Sequence, residues 1–130
     1  MTSIRQALRR VMSRSGEKGS TFRLDYTTVD GRRIVVGHLR FQDGVWSFEY
    51  DPTYRRRSDL RPIEGFDELS KVYRSRTLFP FFSVRVPDRD RPDVRLRLKQ
   101  QRMEDPDISD LLRLFGRRAA ASPAFELVEE

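Results

Sequence analysis

Two Asp-Gly dipeptides, Asp30-Gly31 and Asp43-Gly44, separate three runs in which apolar and polar residues alternate. Asp-Gly favours the positive φ angles of a tight hairpin turn, and period-two alternation turns one face of each run toward a core. The first run alternates Phe22, Leu24 and Tyr26 with Arg23 and Asp25. The second, Ile34 to Phe41, puts Val35, Leu39 and Phe41 on one face, and the third alternates Trp46, Phe48 and Tyr50 with Ser47 and Glu49. The pattern predicts a three-stranded antiparallel meander with type I′ turns at both dipeptides. Asp51-Pro52 ends the third strand, because proline has no N–H for the ladder.

Beyond the meander the pattern is less regular. Thr53 to Asp59 reads as a polar loop, and Leu60 to Phe66 as an irregular extended segment. Residues 67–77 are mixed, with Leu69, Val72 and Tyr73 as anchors. Leu78, Phe79, Phe81 and Phe82 form the densest apolar cluster, which continues to Val84 and Val86. Pro80 suits the first turn of a short helix and Pro87 stops it. Phe79 and Phe82 cannot both point with Phe81 on so short a helix. One of them is therefore a candidate for an exposed partner contact, as is Trp46 if the third strand shows that face to solvent. Residues 91–102 fit two patterns. Val94, Leu96 and Leu98 alternate as in a strand, whereas Val94 and Leu98 share a helix face that follows Pro92. The last helix is clearer: Asp107 caps it, Ile108, Leu111, Leu112 and Phe115 have helical spacing, and Gly116 stops it. Phe125 to Val128 would add a closing edge strand. At the other end, residues 2–14 predict an amphipathic helix, with Ile4, Ala7, Leu8, Val11 and Met12 opposite Arg5, Arg9, Arg10 and Arg14. Ser15 to Ser20 reads as a flexible linker that sets this helix apart.

The chemistry available to the chain is narrow. Its 130 residues suit one domain, and they include no cysteine and one histidine. Disulfides, thiolate catalysis and Cys-ligated metal centres are thereby excluded. No phosphate-binding glycine motif occurs. Glu104, Asp105, Asp107 and Asp110 cluster, but Asp107 and Asp110 occupy a helix start, where acids favour the dipole. Asp88 and Asp90 lie among arginines and read as surface ion pairs. His38 falls mid-strand, opposite the apolar face, and reads as a half-exposed strand histidine. The expectation is a non-enzymatic protein with no catalytic residue, cofactor or metal site. No apolar run approaches the roughly 20 residues of a membrane-spanning helix, and the N-terminus lacks the apolar stretch of a secretory signal. A soluble cytoplasmic protein is expected.

The formal net charge is +6, and of the 26 Lys+Arg residues only Lys18, Lys71 and Lys99 are lysine. Arginine suits bidentate contact with phosphate or carboxylate. Arg55, Arg56 and Arg57 form a loop triplet after an aromatic strand, and Arg85 to Arg102 is a second basic stretch. An aromatic sheet with basic loops is compatible with nucleic-acid binding, the alternative function to a protein-interaction module. The competing reading is that Trp46, Phe48 and Tyr50 are core and the arginines a solvated surface.

Several motifs together resemble a known family. Gly37-His38-Leu39-Arg40-Phe41 and Asp43-Gly44-Val45-Trp46-Ser47-Phe48-Glu49-Tyr50 resemble the opening of HipA N-terminal domains. Phe81-Phe82-Ser83-Val84-Arg85-Val86-Pro87 resembles that family's segment ending in Leu-Pro, and Ile108 to Gly116 resembles its following helix. Order and spacing agree over roughly residues 35–118, plus a closing strand. Val86 replaces the usual leucine, with Arg85 ahead of it, and Asp88-Arg89-Asp90 replaces an acidic and glycine stretch. That makes the surface around Arg85 a place where partner contacts would differ. Residues 1–20 have no counterpart. The resemblance implies an α+β fold over residues 21–130, a small antiparallel meander sheet packed against short helices, with the N-terminal amphipathic helix as an addition. It favours helix for residues 91–102. It also implies a non-catalytic interaction module, antitoxin-like (HipS-like) or regulatory toward a HipA-type serine/threonine kinase core. Trp46, Phe79, Phe82 and Arg85 are then the candidate partner contacts, and Arg55, Arg56 and Arg57 the candidate anionic contacts.

Overall fold

Alternating burial builds three successive strands, β1 (Ser20–Thr27), β2 (Arg33–Gln42) and β3 (Val45–Tyr50). The computed structural model describes residues 19–57 and 59–130, so the helix expected over residues 2–14 lies outside the described residues. Two further strands, β4 (Tyr73–Ser75) and β5 (Phe125–Glu129), complete an antiparallel sheet of order β4-β3-β2-β1-β5. β5 is the expected closing edge strand. β4 is new, and its three residues are too few to show an alternation.

The two Asp-Gly turns differ. Asp43 and Gly44 both have positive φ (53° and 77°), as a two-residue type I′ turn requires. At the first hairpin only Gly31 is positive, at 89°. The loop there is longer: the Gly31 N–H donates to the Thr28 carbonyl at 2.9 Å, and the Arg32 N–H donates to Thr28 Oγ1 at 3.0 Å. The Thr28 hydroxyl also bonds Asp30. A threonine able to bond its own loop backbone opens the turn, so a type I′ turn at Asp30-Gly31 does not form.

Strand β2 carries a bulge. Leu24 pairs with Gly37 but Asp25 pairs with Val35, leaving Val36 as an extra residue. This bulge shifts the alternation by one. Ile34, the bulged Val36 itself and, beyond it, Leu39 are buried on the core side, while Val35 is only half-buried. The expectation that Val35 lines the core with Leu39 and Phe41 fails for that reason. Beside the bulge, Gly37 lies under the Phe48 ring. A Cβ there would stand 2.5 Å from the Glu49 carbonyl oxygen and 2.7 Å from Phe48, so only glycine fits.

Four short helices accompany the sheet. In place of the expected polar loop, α1 (Pro52–Arg55) follows β3 at once, with Asp51 accepting from the Thr53 N–H as its cap. α2 (Pro80–Ser83) starts with Pro80 as expected. Residues 91–102 settle as helix: α3 (Pro92–Gln100) buries Val94 and Leu98 and leaves Leu96 exposed, the signature of one helical face rather than of a strand. α4 (Ile108–Phe115) has a reciprocal capping box between Asp107 and Asp110. Its Gly116 does not adopt a left-handed angle. A Cβ there would meet Leu112 atoms at 2.6 Å, so close approach explains the glycine.

The core divides into two. The main cluster joins the sheet's inner face to Tyr54, Ile63, Phe66, Phe82 and Leu112. A smaller one joins Val94 and Leu98 of α3 to Leu111 of α4. Phe48 is the hub of the aromatic packing, with ring centroids 4.5 Å from Phe66, 5.3 Å from Tyr50 and 5.6 Å from Phe82. Tyr50 is buried with its hydroxyl satisfied twice: it donates to the Phe66 carbonyl at 2.6 Å and accepts from the Ile63 N–H at 2.9 Å. Burial pushes its pKa up to about 12.

Candidate functional site

The candidate partner contacts fall in different places. Trp46 (3% exposed) and Phe82 (0%) belong to the core, so neither offers surface to a partner in this fold. Phe79 is half-buried, its ring 5.2 Å from Phe66. Helix α2 thus resolves the competition among its phenylalanines by turning Phe82 inward and leaving Phe79 and Phe81 at the rim. Between that rim and the segment before β5 runs a groove of about 660 Å³, lined by Ile63, Phe66, Phe79, Phe81, Val84 and Phe125. Val84, at 65% exposure, is the most open apolar side chain of this wall. The periodicity of residues 78–86 does not single it out.

Arg85 is also buried, at 4% exposure, and has no carboxylate partner. Its guanidinium instead donates to the carbonyls of Gly116 and Arg117, both at 3.1 Å, and to Ser122 Oγ at 3.2 Å. It lies 5.6 Å from the centre of the Phe81 ring. Its Nε has no hydrogen-bond partner, and burial holds the group below the usual arginine pKa. Arg85 therefore pins the end of α4 and the 116–125 segment together, forming the groove's far wall from beneath. The sequence placed Arg85 on a surface; its neighbours are distant in the chain and leave no local signal.

The arginine triplet is partly consumed. Arg55 donates to the Tyr50 carbonyl at 3.1 Å, closing the edge of β3, and Arg57 makes a two-point pair with Asp59 at 2.8 and 3.0 Å. Only Arg56 of the three is exposed with no side-chain bond among the described residues. His38 is half-buried between two carboxylates, with Nε2 2.9 Å from Asp51 and Nδ1 3.4 Å from Glu130. Asp107 and Asp110 are occupied by the capping box and Arg113, and Asp105 lies 3.5 Å from Arg89. Among the described residues no three metal-ligating side chains converge, and no helix is long and apolar enough to cross a membrane.

A second feature escaped the sequence. Asp25 and Glu126 are cross-strand neighbours, 1% and 5% exposed. Arg23 grips Asp25 at 2.8 and 3.0 Å, and Arg33, Arg117 and Arg118 converge on Glu126. Burial raises the Glu126 pKa, but the Arg117 bond and the surrounding guanidinium charges more than offset it and hold the carboxyl below its ordinary range. Asp51 is lowered in the same sense by His38 and the Thr53 N–H against its own burial. Carboxyls depressed in the folded state contribute stability that is complete above their unfolded pKa, near 4, and lost as pH falls through the folded value. Unfolding in urea should give a free energy that is level from about pH 7 to pH 5 and falls below about pH 4. Glu126→Gln should be less stable at neutral pH and show a shallower acid decline. An acid decline of unchanged depth would remove Glu126 from this account.

A five-stranded antiparallel sheet covered by short helices makes this an α+β domain. Residues 28–121 match the family model for the HipA N-terminal domain, and the chain belongs to that family. The match runs from the first hairpin loop to the segment before β5 and includes the groove's wall at α2. Among curated proteins and among solved structures, nothing matches the chain.

Proposed function

We propose that this chain is a non-catalytic, cytoplasmic protein-interaction module, antitoxin-like or regulatory toward a HipA-type serine/threonine kinase. The observation that carries this reading is the family match over most of the described residues. The apolar groove beside α2 supports it by supplying a surface: Val84 is open, Phe79 and Phe81 are half-buried, and all three are hydrophobic. Apolar side chains clustered around a groove contribute binding energy by leaving water on contact, with a few anchors carrying most of it.

The test is co-expression of the tagged full chain with a HipA-type kinase core. Co-purification and relief of the kinase's growth arrest are expected. Val84→Asp should abolish both while leaving the fold intact, because the side chain is already solvated. Failure to co-purify, together with unchanged growth arrest, would overturn the proposal; retention of binding by Val84→Asp would move the interface off the groove.

A further inference from the structure

Several arginines pair with a carboxylate close by in the chain. Arg23 pairs with Asp25, Arg57 with Asp59 and Arg91 with Asp93, each two residues away. The stretch from Arg95 to Arg102 is different. It carries Arg95, Arg97, Lys99 and Arg102 and no acid, and none of the four pairs with a carboxylate among the described residues.

Helix α3 arranges these charges. Because Val94 and Leu98 face the core, Arg95 and Lys99 stand one turn apart on the outer side, about 6 Å along the axis. Arg102 extends the row past the helix end. It adopts φ 55°, and the following Met103 N–H closes the turn by donating to the Leu98 carbonyl at 2.9 Å. A cation there also complements the negative end of the helix dipole. The three side chains border an open depression of about 760 Å³, with Arg89 beside them and Asp90 and Glu104 at its edge. Arg89 is fixed by the Pro106 carbonyl at 3.2 Å and by Asp105.

A regular row of cations complements a regular row of phosphates, and their charge is available because no carboxylate among the described residues forms an ion pair with it. No aromatic side chain borders the depression, so there is no platform for stacking unpaired bases. We propose that the outer face of α3 binds the phosphodiester backbone of double-stranded DNA through Arg95, Lys99 and Arg102, without reading its sequence. This surface is separate from the groove beside α2, and its occupancy does not depend on a kinase partner.

The experiment measures binding of the full chain to a short labelled DNA duplex of arbitrary sequence by fluorescence anisotropy. Dissociation constants of about 1–100 µM are expected at low salt. Three phosphate contacts predict roughly 40-fold weaker binding between about 50 and 200 mM salt. The Arg95→Ala/Lys99→Ala/Arg102→Ala variant should lose about tenfold or more in affinity. An Arg56→Ala/Arg61→Ala/Arg76→Ala variant, with the same net charge, should lose much less. Arg102→Gly separates contact from folding. Glycine accepts the positive φ freely, so thermal stability should hold or rise while the logarithmic salt slope falls by about one. Absence of duplex binding overturns the proposal. So does equal loss in the two triple variants, or tighter binding of the single strand than of the duplex.

Discussion

Arg85→Ala should lower the unfolding free energy by about 3 kcal/mol or more, although it removes no ion pair. Four acceptors lose a donor at once: the carbonyls of Gly116, Arg117 and Phe125, and the Ser122 hydroxyl, with the Arg117 carbonyl keeping its bond from the Leu127 N–H. The buried charge and its unbonded Nε soften that loss, since removing them returns a desolvation cost. Thermal unfolding should drop by about 10 °C for a domain of this size. Arg85→Met is the discriminating partner variant. If Arg85 acts by filling space, methionine restores most of the stability; if it acts by capping carbonyls, as the geometry requires, methionine recovers less than half. A loss below about 1 kcal/mol for Arg85→Ala would mean that the 116–125 segment holds its place without it.

Phe82→Ala should cost about 3–5 kcal/mol, in the range of phenylalanine deletions from well-packed cores. The ring is fully buried and lies against Phe48, Phe66 and Phe81 with centroids 5.6, 6.1 and 5.1 Å away. Two residues on, Val84→Asp should change stability by about 0.5 kcal/mol or less, since the site is open to water. The pair gives the α2 segment a clean division between what holds the domain and what faces outward. Chemical denaturation of the isolated chain checks it. If Phe82→Ala were as mild as Val84→Asp, the aromatic cluster would not be the structural centre described above.

How far the sequence discloses this fold depends on how local each cause is. Alternation marks β1 and β3, an apolar run marks β5, and the Asp107 cap with the Leu111-Leu112 spacing marks α4, because those signals sit inside the elements they specify. The Asp43-Gly44 turn is legible for the same reason. Asp30-Gly31 carries the same letters, yet Thr28 changes the loop by bonding Asp30 and the Arg32 N–H. Val36 is invisible as a bulge because the missing partner belongs to another strand. β4 owes its existence to β3 rather than to its own residues. The resemblance gave residues 91–102 their helix where periodicity left two patterns open, and burial of Val94 and Leu98 agrees. The candidate site divides along the same line. Phe79 sits at the groove, but Trp46, Phe82 and Arg85 lie inside, since orientation on a one-turn helix and burial of an arginine under distant carbonyls are set by tertiary contacts.

The sheet's margins set a limit on how this protein meets others. On one side β4 offers only three residues, and on the other the Leu127 N–H of β5 is already taken by the Arg117 carbonyl at 2.8 Å. An incoming strand would find few free backbone groups to pair with, the condition that guards natural sheets against edge-to-edge growth. Fibrillar stacking and strand exchange between copies are thereby discouraged. Recognition must proceed through side chains, where a single substitution can retune the choice of partner without disturbing the ladder beneath.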